Sequence, residues 1–359
     1  MRGPGPFRPL LPRLTSWLPV GRLFPLIAAV ILVDSVFYSA ITPLLPEYSD
    51  DLGLSKSAAG LLSASYAAGT LTFALPAGWL AGRAGGRATT LLGLALLGVT
   101  SVVFGFAEDI VLLGVAVVGF LVGPALGAAA TEVGTEAVFS GAAVLAVALG
   151  VWALATPEGH REPPASWRTL AVALRRRPLA SAVWLFTLPA LFAGTLNVLV
   201  PLRMDDLGAT AAAIAAVFIA GSAAEAAMSP VVGRFSDRRG RWLPLRAGLA
   251  GAGITALALP LPGTAWLLAG ATLATVIALA FFWAPAGAML SEAAEAADLD
   301  QGLAFGVLNL AWAGGQVIGG SASGALADLT SDVVPYALLA ALCLVTLTLA
   351  RERAPVPAG

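Results

Sequence analysis

Apolar runs of about 20 residues recur along almost the whole chain, and they restrict its fold more than any other feature. A run of that length is enough for an α-helix to cross a lipid bilayer. Of the 359 residues 58% are hydrophobic, whereas soluble domains are roughly 45–50% apolar. The sequence therefore predicts an all-α polytopic membrane protein, with spans at 24–47, 57–82, 88–107, 110–130, 135–155, 179–203, 209–232, 243–261, 265–290, 302–326 and 333–350.

Charged residues divide the chain into two membrane segments and three connecting or terminal segments. The arginine-containing N-terminal tail (1–22), the linker (156–178) and the C-terminal tail (351–359) flank the two membrane halves, 23–155 and 179–350. Basic segments next to membrane spans stay on the cytoplasmic side, so we expect both tails and the linker there. Within the linker, SWRTLAVALRRR predicts a short amphipathic helix on the inner membrane surface.

The two halves are internal repeats of each other. Gly53 and Gly208 lie in similar stretches, SDDLGLSKSAAG and MDDLGATAAAIA, and are 155 residues apart, as are Gly78 and Gly233. Further along, GFLVG at 119–123 matches GQVIG at 315–319 with an offset of 196. The second half therefore contains one more helix and loop, roughly residues 269–309. This gives two homologous helical halves around a central cavity, with five predicted spans in the first and six in the second.

A charged turn follows the second span of each half and has the same form in both. The turns read GWLAGRAGGR at 78–87 and GRFSDRRGR at 233–241. They resemble the signature G-x-L-x-D-R-x-G-R-[RK] of the major facilitator superfamily. The resemblance to this family covers about residues 20–352. The first copy has Gly82 where the signature has aspartate. The matching residues are Gly78, Leu80, Arg83, Gly85 and Arg87 in the first copy and Gly233, Asp237, Arg238, Gly240 and Arg241 in the second.

Two further stretches resemble the drug/proton antiporter branch, which includes bacterial multidrug exporters and vesicular amine carriers. Gly123, Pro124 and Gly127 match the branch signature G-P-x-x-G, and LVDSVFYSAITPLLP at 32–46 is similar to its first helix. The resemblance implies a monomeric transporter without a cofactor that exports a hydrophobic or cationic small molecule in exchange for protons. The arginine-rich composition, with Lys56 as the only lysine, favours a bacterial inner membrane.

The sequence departs from the family pattern in its first half, where the fourth helix and its embedded arginine have no counterpart. Five full crossings would place the linker outside, against its positive charge. Three alternatives remain: one span is re-entrant, an early segment is forced out of the membrane, or the chain is a truncated variant that assembles badly.

Several polar residues within the apolar runs are candidates for binding protons or substrate. Asp34 lies ten residues into the first span, a depth of ~15 Å, and ionisable residues within membranes usually mark substrate or ion pathways. Its alternative role is a carboxylate satisfied by neighbouring hydroxyls, Tyr38 among them. Glu225 is a second proton site or a helix-end group that reaches towards the motif arginines. The other candidates, which equally suit packing between helices, are Asn197, Trp283, Asn309, Trp312 and Gln316.

We interpret the two charged turns as gates, in which Asp237 caps the following helix and pairs with nearby arginines. Alternatively, the arginines only keep these loops inside. The sequence has no nucleophile–histidine pair, metal-ligand spacing or phosphate loop, so it does not support an enzyme. The alternatives to proton-coupled export are another solute uniporter or symporter, and a non-transporting deletion variant, because this fold does not fix function.

Overall fold

The computed structural model describes residues 41–84, 86–105, 135–154, 167–297, 299 and 301–351, which form eleven α-helices and no strand. The tails, most of the linker and the expected span at 110–130 lie outside these residues. The helices are α1 (Ile41–Leu52), α2 (Lys56–Ala84), α3 (Gly86–Gly105), α4 (Thr135–Leu154), α5 (Trp167–Leu174), α6 (Arg177–Asp206), α7 (Ala211–Arg239), α8 (Trp242–Ala258), α9 (Ala265–Glu295), α10 (Gln301–Leu329) and α11 (Val333–Arg351).

Helices α2 to α4 and α6 to α11 follow nine of the predicted spans, whereas α1 contains only the last residues of the span predicted at 24–47. Within the described ranges, α6, α7 and α9 are each long and apolar enough to cross a membrane on their own. The predicted amphipathic helix of the linker is present as α5. The described residues thus confirm an all-α membrane protein, in which long helices supply the internal hydrogen bonds that backbone needs in lipid.

The repeat found in the sequence is also a repeat of structure. The first residues of α2 and α7 are 155 residues apart in the chain, and so are their last residues. The turn before each helix has the same hydrogen bond, from Leu54 N to Ser49 O at 2.8 Å and from Ala209 N to Met204 O at 2.9 Å. Gly53 and Gly208 have φ angles of 61° and 80°, which favour glycine because it lacks a Cβ atom. The sequence repeat therefore encodes one turn geometry twice.

Helix α10 joins the two halves. It packs against α2 of the first half and α6 of the second. Gly60 lies against Gly320, and Lys56 lies against Gly324, so α2 and α10 are antiparallel. Ala190 lies against Gly315 and Gly194 against Gly320, so α6 and α10 run in the same direction. Since α7 turns back from α6, α2 and α7 run in the same direction and the two halves have the same orientation.

Helices α3 and α4 form an antiparallel pair. The guanidinium of Arg87, at the start of α3, donates a hydrogen bond to the carbonyl oxygen of Leu154, at the end of α4. Gly98 faces Ala143 and Ala146 further along the pair. The chain therefore leaves α3 and enters α4 at the same end, and the linker begins beside the first charged turn. In the second half, α8 and α11 form the corresponding pair.

Candidate functional site

Four helices of the second half enclose a cavity of about 260 Å³. Four of the residues that the sequence predicts as candidates lie together in its wall: Asn197 on α6, Glu225 on α7, Trp283 on α9 and Gln316 on α10. The remaining lining residues are Ala193, Leu196, Val217, Phe218, Gly221, Ser222, Thr272, Val276 and Leu279. The cavity therefore combines an apolar wall with a few polar groups, which is the usual character of a small-molecule site.

The helix period positions the carboxylate side of the cavity. Phe218, Ser222 and Glu225 follow each other at i, i+4 and i+7 on α7, so they share one helix face. Gly221 lies on the same side, where a Cβ atom would be 3.5 Å from Val276 of α9. Helices α7 and α9 therefore pack against each other beside Glu225, at a distance that would still admit a methyl group.

Close packing of α10 on α6 holds the amide of Gln316 in place. Gly315 and Gly319 flank this residue, and each lies against the backbone of α6, at Thr187 and Leu191. The Thr195 hydroxyl donates a hydrogen bond of 3.3 Å to the carbonyl oxygen of Gly319. Gln316 is only 4% exposed as a result. Its amide is thus built into a rigid contact between two helices.

The indole of Trp283 is fixed by another aromatic ring. Phe186 of α6 contacts it edge to face, with ring centroids 5.5 Å apart and an interplanar angle of 69°. Edge-to-face pairs add to the energy gained from burial of the rings. Trp283 therefore presents a fixed aromatic surface to the cavity, on the helix that faces Glu225.

Glu225 supplies the negative charge of the site. It is half-buried, and no arginine or lysine of the described ranges forms an ion pair with it. Within these ranges, the Glu225 carboxylate therefore does not pair with the motif arginines, as one of the two sequence-based alternatives expected. A carboxylate inside a membrane protein is costly and usually has a role in transport. With an indole and two amides nearby, it can bind a proton or attract a cationic group.

Two of the predicted candidates lie away from the cavity. Trp312 contacts Tyr66 of α2 edge to face, at 5.9 Å between ring centroids, so it packs the two halves together. Asn309 is exposed and seven residues from Gln316, a distance of about 10 Å along a helix. These two residues do not line this cavity, so a binding face that they share with Gln316 stays a prediction. Asp34, Tyr38, Gly123, Pro124 and Gly127 lie outside the described residues.

Nine of the thirteen lining residues were not predicted from the sequence, and three of these nine have a polar or aromatic side chain: Phe218, Ser222 and Thr272. Phe218 and Ser222 share the helix face of Glu225, and this spacing could have identified them. Thr272 gives no such signal, because its hydroxyl donates a 2.8 Å hydrogen bond to the carbonyl oxygen of Leu268 within the same helix. Small hydroxyl residues in membrane helices often have this local role.

The second charged turn connects α7 to α8 and is tied to α9. The side chains of Arg241 and Glu292 form an ion pair that links the turn to the end of α9. The predicted cap by Asp237 is not formed. Because α7 continues to Arg239, Asp237 stays within that helix and is exposed, and the N-cap of α8 is Arg241 without a side-chain hydrogen bond. Glu292 was not predicted as a partner.

The other residues of the two motifs have simpler positions. Arg238 is exposed at the end of α7, which also contains Gly233, and Gly240 follows it with a φ angle of 80°. In the first copy, Gly78 and exposed Arg83 belong to α2, while Gly85 lies outside the described residues. Arg87 binds the end of α4, as described above.

The opposite end of the molecule contains a second polar contact, between the two halves. Asp328 accepts hydrogen bonds from the backbone N–H groups of Lys56 at 3.2 Å and Ser57 at 2.7 Å, at the start of α2. The ammonium of Lys56 pairs with Asp332 at 2.6 Å. We call Lys56, Asp328 and Asp332 the inter-half clamp. It closes the halves against each other at the end away from the charged turns.

Comparisons with known proteins agree with this architecture. A family model described as Major Facilitator Superfamily matches residues 27–120, 111–265 and 187–359. The crystal structure of a mutant of the nucleoside transporter NupG is similar with a TM-score of 0.69 and 14% sequence identity, covering 92% of this chain and 99% of that chain. At this identity the likeness shows the fold alone. No curated protein matches the chain.

Proposed function

Because the chain belongs to the Major Facilitator Superfamily and is a membrane transporter, not an enzyme, we propose that it exports a hydrophobic or cationic small molecule in exchange for protons. The observation that supports this most is the cavity of the second half, where Glu225 lies with Asn197, Gln316 and Trp283. The location we propose is a bacterial inner membrane.

The chemistry of the cavity suits an organic cation with an apolar or aromatic body. Trp283 offers a ring face to a cation, and Glu225 offers the opposite charge. The two amides can orient a polar group of the same molecule. A volume of about 260 Å³ is slightly below the usual range of ~300–1,000 Å³ for ligand pockets, so we expect a small solute.

Competition for one carboxylate explains how transport would be coupled to protons. Protonated Glu225 has no charge with which to hold a cation, whereas ionised Glu225 has one. Binding of the proton and of the cation are therefore mutually exclusive at this group. If the halves rock only when Glu225 holds a proton or a cation, this exclusion produces exchange of one for the other.

The contacts at the two ends of the molecule suit such a rocking motion. The inter-half clamp and the close packing of α2 on α10 hold the halves together at one end. In the proposed motion, separation of the halves at that end breaks both contacts. At the other end, the ion pair between Arg241 and Glu292 lies within the second half, so it moves with that half as one body.

The proposal is tested with purified protein in liposomes that carry an imposed pH gradient. We expect the wild-type protein to move a fluorescent cationic dye against its concentration gradient when protons flow the other way. Glu225→Gln removes the charge that binds protons and cations, and it should lower this gradient-driven transport at least about tenfold, a loss of about 1.4 kcal/mol. Glu295→Gln, an exposed carboxylate at the end of α9, is the matched control and should retain wild-type transport.

Other results would contradict the proposal in distinguishable ways. Dye movement that ignores the pH gradient would indicate a uniporter. A radiolabelled nucleoside is tested in parallel, and its transport in place of the dye would indicate a different solute. No transport of either compound above empty liposomes would favour the non-transporting variant. Full coupling in Glu225→Gln would exclude this residue as the coupling site.

A further inference from the structure

The linker helix α5 has one buried apolar face, one arginine on its exposed side and three more arginines directly after it. Leu170 and Ala173 are 4% and 2% exposed and belong to the hydrophobic core. Arg168 is exposed, and so are Arg175, Arg176 and Arg177 directly after the helix. Val172 is also exposed, at 54%. The helix therefore packs on the protein through Leu170 and Ala173, and it leaves Val172 and the arginines accessible at its exposed side.

A cleft of about 330 Å³ lies between α5 and the end of α9. Its lining includes three polar residues, Arg168, Arg176 and Thr169. The rest of the wall is apolar, from Val172, Ala173 and Ala297. A cleft that joins two arginines, a hydroxyl and an apolar edge matches a molecule with a phosphate at one end and hydrocarbon at the other.

The cleft lies at the membrane surface on the side of the charged turns. Ala297 follows directly after α9, and Glu292 in the last turns of that helix pairs with Arg241 of the second charged turn. Arg177 begins α6, which crosses the membrane. Basic turns and linkers lie in the cytoplasm, so the cleft faces the headgroups of the inner leaflet.

We propose that this cleft binds the phosphate of an anionic phospholipid of the inner leaflet. Arginine binds phosphate through several N–H donors at once and is more weakly hydrated than lysine. Basic residues next to a membrane span attract anionic lipids. The exposed side chains of Val172 and Leu174 lie beside the cleft and can contact the acyl chains.

A competing explanation is that the arginines only stabilise the end of α9. The carbonyl groups at a helix C-terminus carry partial negative charge, and Glu295 adds a full charge there. In that case the cleft would need no lipid. The two explanations differ in whether lipid headgroup charge matters to the protein.

The experiment compares two double variants that remove the same charge. Arg168→Gln/Arg176→Gln changes the two arginines of the cleft, and Arg175→Gln/Arg177→Gln changes two exposed arginines that do not line it. Full-length protein is reconstituted in nanodiscs of phosphatidylethanolamine with increasing phosphatidylglycerol. Bound phosphatidylglycerol is then counted by native mass spectrometry after release into detergent.

We expect the wild-type protein and the Arg175/Arg177 variant to keep bound phosphatidylglycerol. The Arg168/Arg176 variant should bind it at least about tenfold more weakly. Inorganic phosphate at millimolar concentration should not displace the lipid, because the apolar edge of the cleft gives it no contact. The Arg168→Lys/Arg176→Lys variant should retain part of the binding, since it keeps the charge but loses the planar fork.

Three results would overturn the proposal. Equal loss in both glutamine variants would show a general effect of charge without a site. Equal retention in both, together with a lower melting temperature of the Arg168/Arg176 variant in lipid-free detergent, would show that the arginines only stabilise α9. Displacement of the lipid by inorganic phosphate would show a site for soluble phosphates.

Discussion

At the scale of single residues, Gly319 is one of the described positions where space is most restricted. It lies where α10 touches α6, and a Cβ atom there would overlap the carbonyl group of Leu191. Gly314 belongs to the same helix, yet a Cβ atom there would meet nothing within 4 Å. The two glycines therefore differ in packing, while their helical environment is the same.

Gly319→Ala should destabilise the protein by about 1–3 kcal/mol, because the two helix backbones must separate to admit the methyl group. Gly314→Ala should be neutral, or stabilising by up to about 1 kcal/mol, because alanine is the better helix former. The measurement is thermal unfolding of the two variants in the same detergent. Similar melting temperatures would show that α10 and α6 are not in this close contact.

The candidate site could be predicted from the sequence where a polar residue interrupts an apolar run. Asn197, Glu225 and Gln316 stand out for this reason, and the structure brings them together with Trp283. Asn309 stands out equally but is exposed, since the sequence does not tell how far along a helix a cavity extends. Thr272 does not stand out, because a hydroxyl that bonds its own helix is common in membrane spans.

At the scale of helices, the sequence predicts positions better than ends. The apolar run of α7 was placed at 209–232, but the helix continues to Arg239 through FSDRR. Hydropathy measures the part of a helix that lies in lipid, whereas backbone hydrogen bonds continue into water. The repeat of 155 residues was the better guide, because α2 and α7 share this offset at both ends.

The inter-half clamp allows a prediction at the same scale. Lys56→Gln removes the ion pair with Asp332, whose side chains are 33% and 24% exposed. A partly exposed pair is worth about 0.2–1 kcal/mol, so the population closed at this end should fall by up to about fivefold. The measurement is the distance between spin labels at Leu52 and Leu329, which are both exposed, in a Cys343→Ser background.

The control for this experiment removes an ion pair that does not join the halves. Arg203 and Asp206 pair at 3.8 Å within α6, at the same end of the molecule. Arg203→Gln should leave the distance distribution unchanged, and exchange of the charges in Lys56→Asp/Asp332→Lys should restore it. Two results would show that the clamp does not control opening. One is a longer distance between the labels in Arg203→Gln, and the other is an unchanged distance in Lys56→Gln.

At the scale of the whole molecule, the direction of the helices bears on which side of the membrane the linker lies, a question that the sequence left open. Charge patterns place the linker inside, but a count of five spans places it outside. In the structure, Leu154 lies beside Arg87, so the linker begins on the side of the first charged turn. Helices α2 and α7 also run in the same direction, as two repeats of even span number would. Hydropathy could not show this, because it does not record which end of a helix faces which side.

This geometry predicts where a reporter in the linker will be found. Green fluorescent protein fused after Ala165 should fluoresce, and alkaline phosphatase fused at the same position should be inactive, because both results indicate the cytoplasm. Fusions after Gly208, in the turn before α7, should give the opposite pair of results. That pattern would mean that the segment between α3 and α4 makes no net crossing, so the two halves have the same orientation in the membrane. An active phosphatase after Ala165 would instead mean five crossings in the first half and opposite orientations of the two halves. The clamp between Lys56 and Asp332 could not form in such a molecule, and the export proposal would fail with it.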